Sequence, residues 1–207
     1  YTITPYGLDI EPGSPSVEES IQTLIELSNK VGKNKVGLRY DPILFTTYWN
    51  RARHALAFKY ILDKTSEYID RVVFSFVQPY EKTKINMPEI IYPDDEYKHS
   101  IAGMLKTIAD NHNVKIQTCG HGNDFEKEGI GKSGCQTAEM FENIWKDIKF
   151  KKRTGGNTRT SCGCLMQKSI GEYNTCKNGC KYCYATKKLD NEFTIDNNSP
   201  YFITPEI

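Results

Sequence analysis

The chain has 207 residues, 38% of them hydrophobic and 26% charged, with a formal net charge of +1, which is enough for one domain with a sizeable buried core. No apolar run approaches the roughly 20 residues of a membrane span, and no charged-then-apolar segment with a small-residue cleavage site opens the chain. Seven cysteines, five of them between Cys162 and Cys183, are odd in number and poorly spaced for a secreted disulfide framework, so a soluble, cytoplasmic protein that ligates metal is expected.

Residues 1–4 are apolar or β-branched and read as a strand; because they begin on Tyr1 rather than Met, the natural start is expected to lie upstream. Over residues 17–31, Ile21, Leu24, Ile25 and Leu27 recur at helical spacing, with Ser16 and Glu19 as a capping-box pair in front and Gly32 behind. A strand at 36–40 precedes a helix at 52–68, and a strand at 71–77 precedes a helix at 94–111 carried by Ile101, Leu105 and Ile108. A strand at 114–119 and a helix at 137–148 complete the pattern. Regular β-α alternation implies a parallel sheet with helices outside it. The fold expected over residues 1–150 is therefore α/β, a partial (β/α) barrel of parallel strands with outer helices.

Long connections at 41–50 and 78–93 leave the carboxyl ends of strands, where parallel α/β folds build their sites. That placement puts Arg39, Asp41, Ser75, Gln78, Tyr80, Lys82, Cys119 and His121 on one face. Tyr48, Trp49 and Phe45 read as an aromatic patch packing a loop onto the rim. After Ile148 the pattern fades into an irregular, cysteine-rich metal-binding cap over 151–188, whose folding is coupled to metal, followed by a polar tail over 189–207. Between Lys146 and Lys188 eleven Lys and Arg face two acids, a local +9 that leaves −8 for the rest. Such a segment matches an anionic cluster, an anionic substrate or a nucleic-acid backbone, and equally a solvated basic face.

Cys176, Cys180 and Cys183 form a C-x3-C-x2-C run, with Gly179 inside the turn and Tyr182 immediately before the last cysteine. Three thiolates at that spacing can bind three irons of a 4Fe-4S cubane and leave the fourth open. In radical S-adenosylmethionine enzymes the open iron chelates the amino and carboxylate groups of S-adenosylmethionine, and Tyr182 stands in the aromatic slot of their loop. A zinc knuckle accepts similar spacing and would draw a fourth ligand from Cys162, Cys164 or Cys119. Arg39 and Asp41 flank a strand end, where an Arg fork can hold a carboxylate or phosphate of a ligand, or the two can pair structurally.

Cys119, Cys135, Cys162 and Cys164 remain, the number that a tetrahedral zinc or a second, fully ligated cubane requires. They are expected to converge if the cap returns to the strand ends; the alternative is burial as small hydrophobes. His121 can replace one ligand or serve as polar lining.

The chain resembles the uncharacterised prokaryotic proteins grouped as domain of unknown function 1848. The resemblance rests on Arg39-Tyr40-Asp41-Pro42-Ile43, on Phe74-Ser75-Phe76-Val77 followed by Tyr80, Lys82 and Asn86, and on Cys162-Gly163-Cys164. It rests most on Ile170-Gly171-Glu172-Tyr173-Asn174-Thr175-Cys176 running into Cys180-Lys181-Tyr182-Cys183-Tyr184-Ala185. It implies relatives with further strands upstream and a carboxyl end similar to the radical S-adenosylmethionine cluster loop, with no activity established for the family. Here that loop lies near the carboxyl end rather than after a first barrel strand. The Gly-Gly-Glu segment that commonly contacts the cofactor is absent, Gly155-Gly156-Asn157 being the nearest equivalent.

The leading expectation is an iron-sulfur, radical S-adenosylmethionine-like enzyme with an anionic substrate of unknown identity and an external electron donor. The alternatives are a metal-stapled nucleic-acid-binding module and a non-catalytic electron-transfer or structural metal protein.

Overall fold

The computed structural model describes residues 1–121, 124–131, 134–149, 162–166 and 173–185. The tail at 189–207, Gly155-Gly156-Asn157, Ile170-Gly171-Glu172 and seven of the eleven cations of the basic segment lie outside the described residues.

Strands β1 (Gly37–Ile43), β2 (Arg71–Phe76) and β3 (Lys115–Thr118) form one parallel sheet in the order β1-β2-β3. The register sets Tyr40 beside Phe74 and Phe74 beside Thr118. Side chains alternate along a strand, so Leu38, Tyr40, Val72, Phe74 and Ile116 share one face while Arg39, Asp41, Val73, Ser75 and Gln117 share the other. The central strand β2 is buried at every position from 72 to 76, as a strand covered on both faces must be.

Five helices accompany the sheet: α1 (Val17–Val31), α2 (Arg51–Thr65), α3 (Glu81–Asn86), α4 (Asp95–Asn111) and α5 (Ala138–Ile144). The apolar stripes of α1, α2 and α4 pack on the Leu38–Phe74 face through Leu24, Phe58, Leu62, Ile101 and Leu105, all fully buried. Burying each such side chain is worth about 1.5–3 kcal/mol relative to leaving it exposed. Local chemistry starts the helices. Ser16 and Glu19 form the full capping box of α1, while Asn50, Asp94 and Thr137 each accept an N–H of the first turn of α2, α4 and α5.

Several expectations change. The sheet is open and does not close into a barrel, since closure takes about eight strands and the described residues form three. Residues 1–4 make a single parallel bridge, Thr2 to Arg39, rather than a strand, and Pro5 has no N–H with which to extend the ladder. The helix read over 52–68 breaks into α2 and a 3-10 turn at Ser66–Tyr68, and the helix read over 137–148 ends at Ile144. The connection 78–93 contains α3.

A second, smaller core lies at the carboxyl ends of the strands, where Tyr6, Ile10, Leu44, Val77, Met87 and Ile90 cluster with Trp49 and Tyr182 against them. Phe45 is buried and Trp49 meets Tyr6 edge-on, whereas Tyr48 is exposed beneath the Arg53 guanidinium. Among the described residues no helix is long and apolar enough to cross a membrane.

Candidate metal and cofactor site

The polar face of the sheet converges at its carboxyl end. Asp41 accepts hydrogen bonds from the Arg39 guanidinium and from the Ser75 hydroxyl, joining β1 to β2. A second N–H of Arg39 points at the Cys135 sulfur, 3.7 Å away. These strand-end residues form one wall of a cleft of about 510 Å³ that is also lined by Gln78, Tyr80, Cys119, Cys135, Cys162, Cys164, Tyr182 and Cys183. Small-molecule sites commonly occupy about 300–1,000 Å³. Lys82 lies on α3, half-buried and outside the cleft lining, and His121 turns to the helical side, packing on Phe76 and Phe125 beside Asp124.

One group of thiols gathers from three segments. Cys119 follows β3 and continues its ladder through an N–H bond to the Phe74 carbonyl. Cys135 precedes α5, and Cys162 and Cys164 return from further along the chain. The Cys135 and Cys164 sulfurs are 3.6 Å apart. Cys119 interacts with Cys135 and Arg39, and Cys162 with Cys164. The two returning loops are stitched together: the Gln136 N–H donates to the Cys164 sulfur at 3.3 Å, and the Leu165 N–H to the Gln136 carbonyl at 2.9 Å. The Cys164 thiol is drawn below its ordinary value, first by Cys135 and, against burial, by that Gln136 N–H. Cys119 is pushed well up, first by Cys135 and then by burial.

The second group is the loop that carries Cys176, Cys180 and Cys183. The Asn174 N–H reaches the Ala185 carbonyl at 3.0 Å and closes its base, and the Cys183 N–H reaches the Cys180 carbonyl at 3.0 Å. Gly179 at φ 63° supplies the left-handed residue the turn needs. The Ala185 N–H points at the Cys183 sulfur, 3.4 Å away.

Residues far back in the chain hold this loop. The Gly13 N–H bonds the Asn178 carbonyl at 2.8 Å and the Lys181 N–H the Ile10 carbonyl at 3.0 Å. The Thr83 hydroxyl and the Asn86 amide, both on α3, donate to the Tyr182 and Lys181 carbonyls at 3.1 and 3.2 Å. A Cβ on Gly13 would stand 2.6 Å from the Lys177 carbonyl oxygen, so only glycine permits the approach. Tyr182 donates its hydroxyl hydrogen to Glu11, a buried carboxylate that also accepts from Thr4 at 2.7 Å. Burial first, and then Glu11, push the Cys180 thiol upward.

Cys180 and Cys183 are half-buried and Cys176 is exposed. Three soft thiol donors within one glycine-bearing turn match the chemistry of an iron-sulfur ligand set. Among the described residues no group of three or more Cys, His, Asp or Glu side chains is already arranged to hold a metal ion; the thiols of each group are neighbours rather than a formed coordination shell.

The family model described as domain of unknown function (DUF1848) matches residues 1–185. The chain belongs to this family. No curated protein and no solved structure matches the chain. The DUF1848 match covers the sheet, both cysteine groups and the residues that clamp the cysteine loop. Among those clamping residues, Glu11, Gly13 and Thr83 carry no chemical motif in the sequence. Glu11-Pro12-Gly13 signals a turn and nothing about a partner more than 160 positions away.

Proposed function

We propose that this DUF1848 chain is an iron-sulfur enzyme of the radical S-adenosylmethionine type, with Cys176, Cys180 and Cys183 holding a 4Fe-4S cluster and S-adenosylmethionine entering the adjoining cleft. The observation that carries this reading is that Tyr182 and Cys183 share one cleft with Arg39, Asp41 and Ser75 at the strand ends. When bound, the cluster supplies one-electron reduction that cleaves a carbon-sulfur bond of the cofactor.

The chain's own residues orient and enclose. Asp41 holds the Arg39 guanidinium at the cleft wall, where its positive charge can attract a carboxylate of the cofactor or of an anionic substrate. Glu11, Thr83 and Asn86 hold the loop against the second core, so that Tyr182 and Cys183 face the strand ends. Cys162 and Cys164 group with Cys135 instead of with this loop, which supports three protein ligands and an open iron over the fully ligated electron-transfer alternative. The strand order is that of one arc of a (β/α) barrel, whose loops at the same end carry its chemistry. The nucleic-acid alternative rests on the basic segment, most of which lies outside the described residues.

The test is anaerobic purification followed by iron and acid-labile sulfide analysis, then reaction with dithionite and S-adenosylmethionine. Brown, sulfide-containing protein that releases 5'-deoxyadenosine is expected, with Cys180→Ala abolishing the product. Colourless protein carrying zinc alone sinks the reading, as does a complete cluster that yields no product.

A further inference from the structure

We infer that Cys119, Cys135, Cys162 and Cys164 form a separate tetrathiolate site for a single zinc ion, lining the same cleft as the cysteine loop. The inference does not depend on the cluster proposed above.

Three observations converge on it. Four cysteines from three segments meet at the end of β3, each interacting with the next in the series Cys119, Cys135, Cys164, Cys162. The loops carrying them are fixed together by backbone, with Leu165 bonded to Gln136 and Gly134 so near Gly163 that a Cβ there would stand 3.6 Å from the Gly163 carbonyl carbon. N–H donors face two of the sulfurs: the Gln136 N–H points at Cys164 and the Arg39 guanidinium at Cys135, at 3.3 and 3.7 Å. Donors of this kind stabilise metal-bound thiolates and orient them.

Spacing selects the metal. Tetrahedral zinc with Zn–S bonds of about 2.3 Å sets its sulfurs about 3.8 Å apart, and Cys135 and Cys164 already stand at 3.6 Å. A cubane attaches each cysteine to a different iron and needs them much farther apart. What coordination adds is the turning of the outer thiols, Cys119 and Cys162, toward the middle pair that they already contact. Zinc here would staple the loop before α5 and the 162–166 segment to the end of β3, and so finish the cleft wall.

The experiment uses the full chain carrying Cys180→Ala and Cys183→Ala, which disables the other loop, prepared anaerobically with zinc and desalted. One zinc per chain is expected, and exchange for Co²⁺ gives the intense ligand-field and charge-transfer bands of tetrathiolate cobalt. Adding Cys135→Ser to this background lowers Co²⁺ affinity more than about tenfold and weakens those bands. In the wild type, whose fold is not at issue, zinc slows alkylation of Cys119, Cys135, Cys162 and Cys164 together, as read by mass spectrometry. The inference is overturned if the double variant retains no zinc, if iron with sulfide occupies these four thiols instead, or if Cys135→Ser leaves the cobalt spectrum and affinity unchanged. Because the Cys180→Ala/Cys183→Ala background cannot assemble the three-cysteine cluster, failure here leaves the radical-enzyme reading standing, and the reverse holds too.

Discussion

Tyr182 donates its phenolic hydrogen to the carboxylate of Glu11, a bond that spans 171 positions and fastens the cysteine loop to the amino-terminal turn. Glu11 is 5% exposed, and removing one partner from a buried acceptor costs about 1–3 kcal/mol. Tyr182→Phe keeps the ring against Tyr6 and loses only the hydroxyl, so urea denaturation should show a loss in that range. The Cys180 thiol should at the same time alkylate faster than in the wild type. Unchanged stability together with unchanged alkylation would show that the Glu11 bond does not hold the loop.

A buried histidine sets part of the acid sensitivity. His54 Nε2 lies 2.8 Å from the Leu44 carbonyl, which can only accept, so Nε2 carries the hydrogen and Nδ1 accepts from the Tyr40 hydroxyl at 2.9 Å. Burial pulls its pKa down to about 4, with the Leu44 bond opposing. Between this value and the unfolded value of about 6.5, the unfolded chain binds the extra proton and the folded one does not. Stability from this residue is thus complete above pH 6.5 and falls as pH drops toward 4, by on the order of 3 kcal/mol. His54→Gln keeps a donor and an acceptor but cannot titrate. Its unfolding free energy should change less than that of the wild type between pH 7 and pH 4.5, and parallel curves would contradict the assignment.

The Ser16 hydroxyl accepts the Glu19 N–H at 3.2 Å while the Glu19 carboxylate accepts the Ser16 N–H at 2.8 Å. Ser16→Ala removes half of this reciprocal cap and should lower stability by about 1 kcal/mol in chemical denaturation. Alkylation rates of Cys176, Cys180 and Cys183 in the native state should stay at wild-type values, because the cap touches none of the loop's anchors.

Phe58 on α2 is fully buried and tilts against Tyr40 with ring centroids 5.0 Å apart. Phe58→Ala leaves a cavity between α2 and β1 and should cost about 3–5 kcal/mol of unfolding free energy, measurable as a shifted urea midpoint with an unchanged slope.

The α/β class, the bodies of α1 and α4, the parallel strands and the three-cysteine turn are legible in the sequence. These features are written in neighbours: apolar spacing along α4, Ser16 three residues before Glu19, and Gly179 between Cys176 and Cys183 act within a few residues and survive in almost any tertiary setting. Tertiary structure alone decided that the sheet stays open, that residues 1–4 form a single bridge, and that a short helix in the 78–93 connection offers Thr83 and Asn86 to the cysteine loop. The approach of Cys135 to Cys164 follows the expected return of the cap to the strand ends, but its spacing of 3.6 Å and the meeting of Glu11 with Tyr182 come from tertiary packing. No local preference encodes such pairs. A carboxylate like Glu11 is ordinarily solvated, and it stays buried only because Thr4 and Tyr182 arrive to satisfy it once the second core has packed.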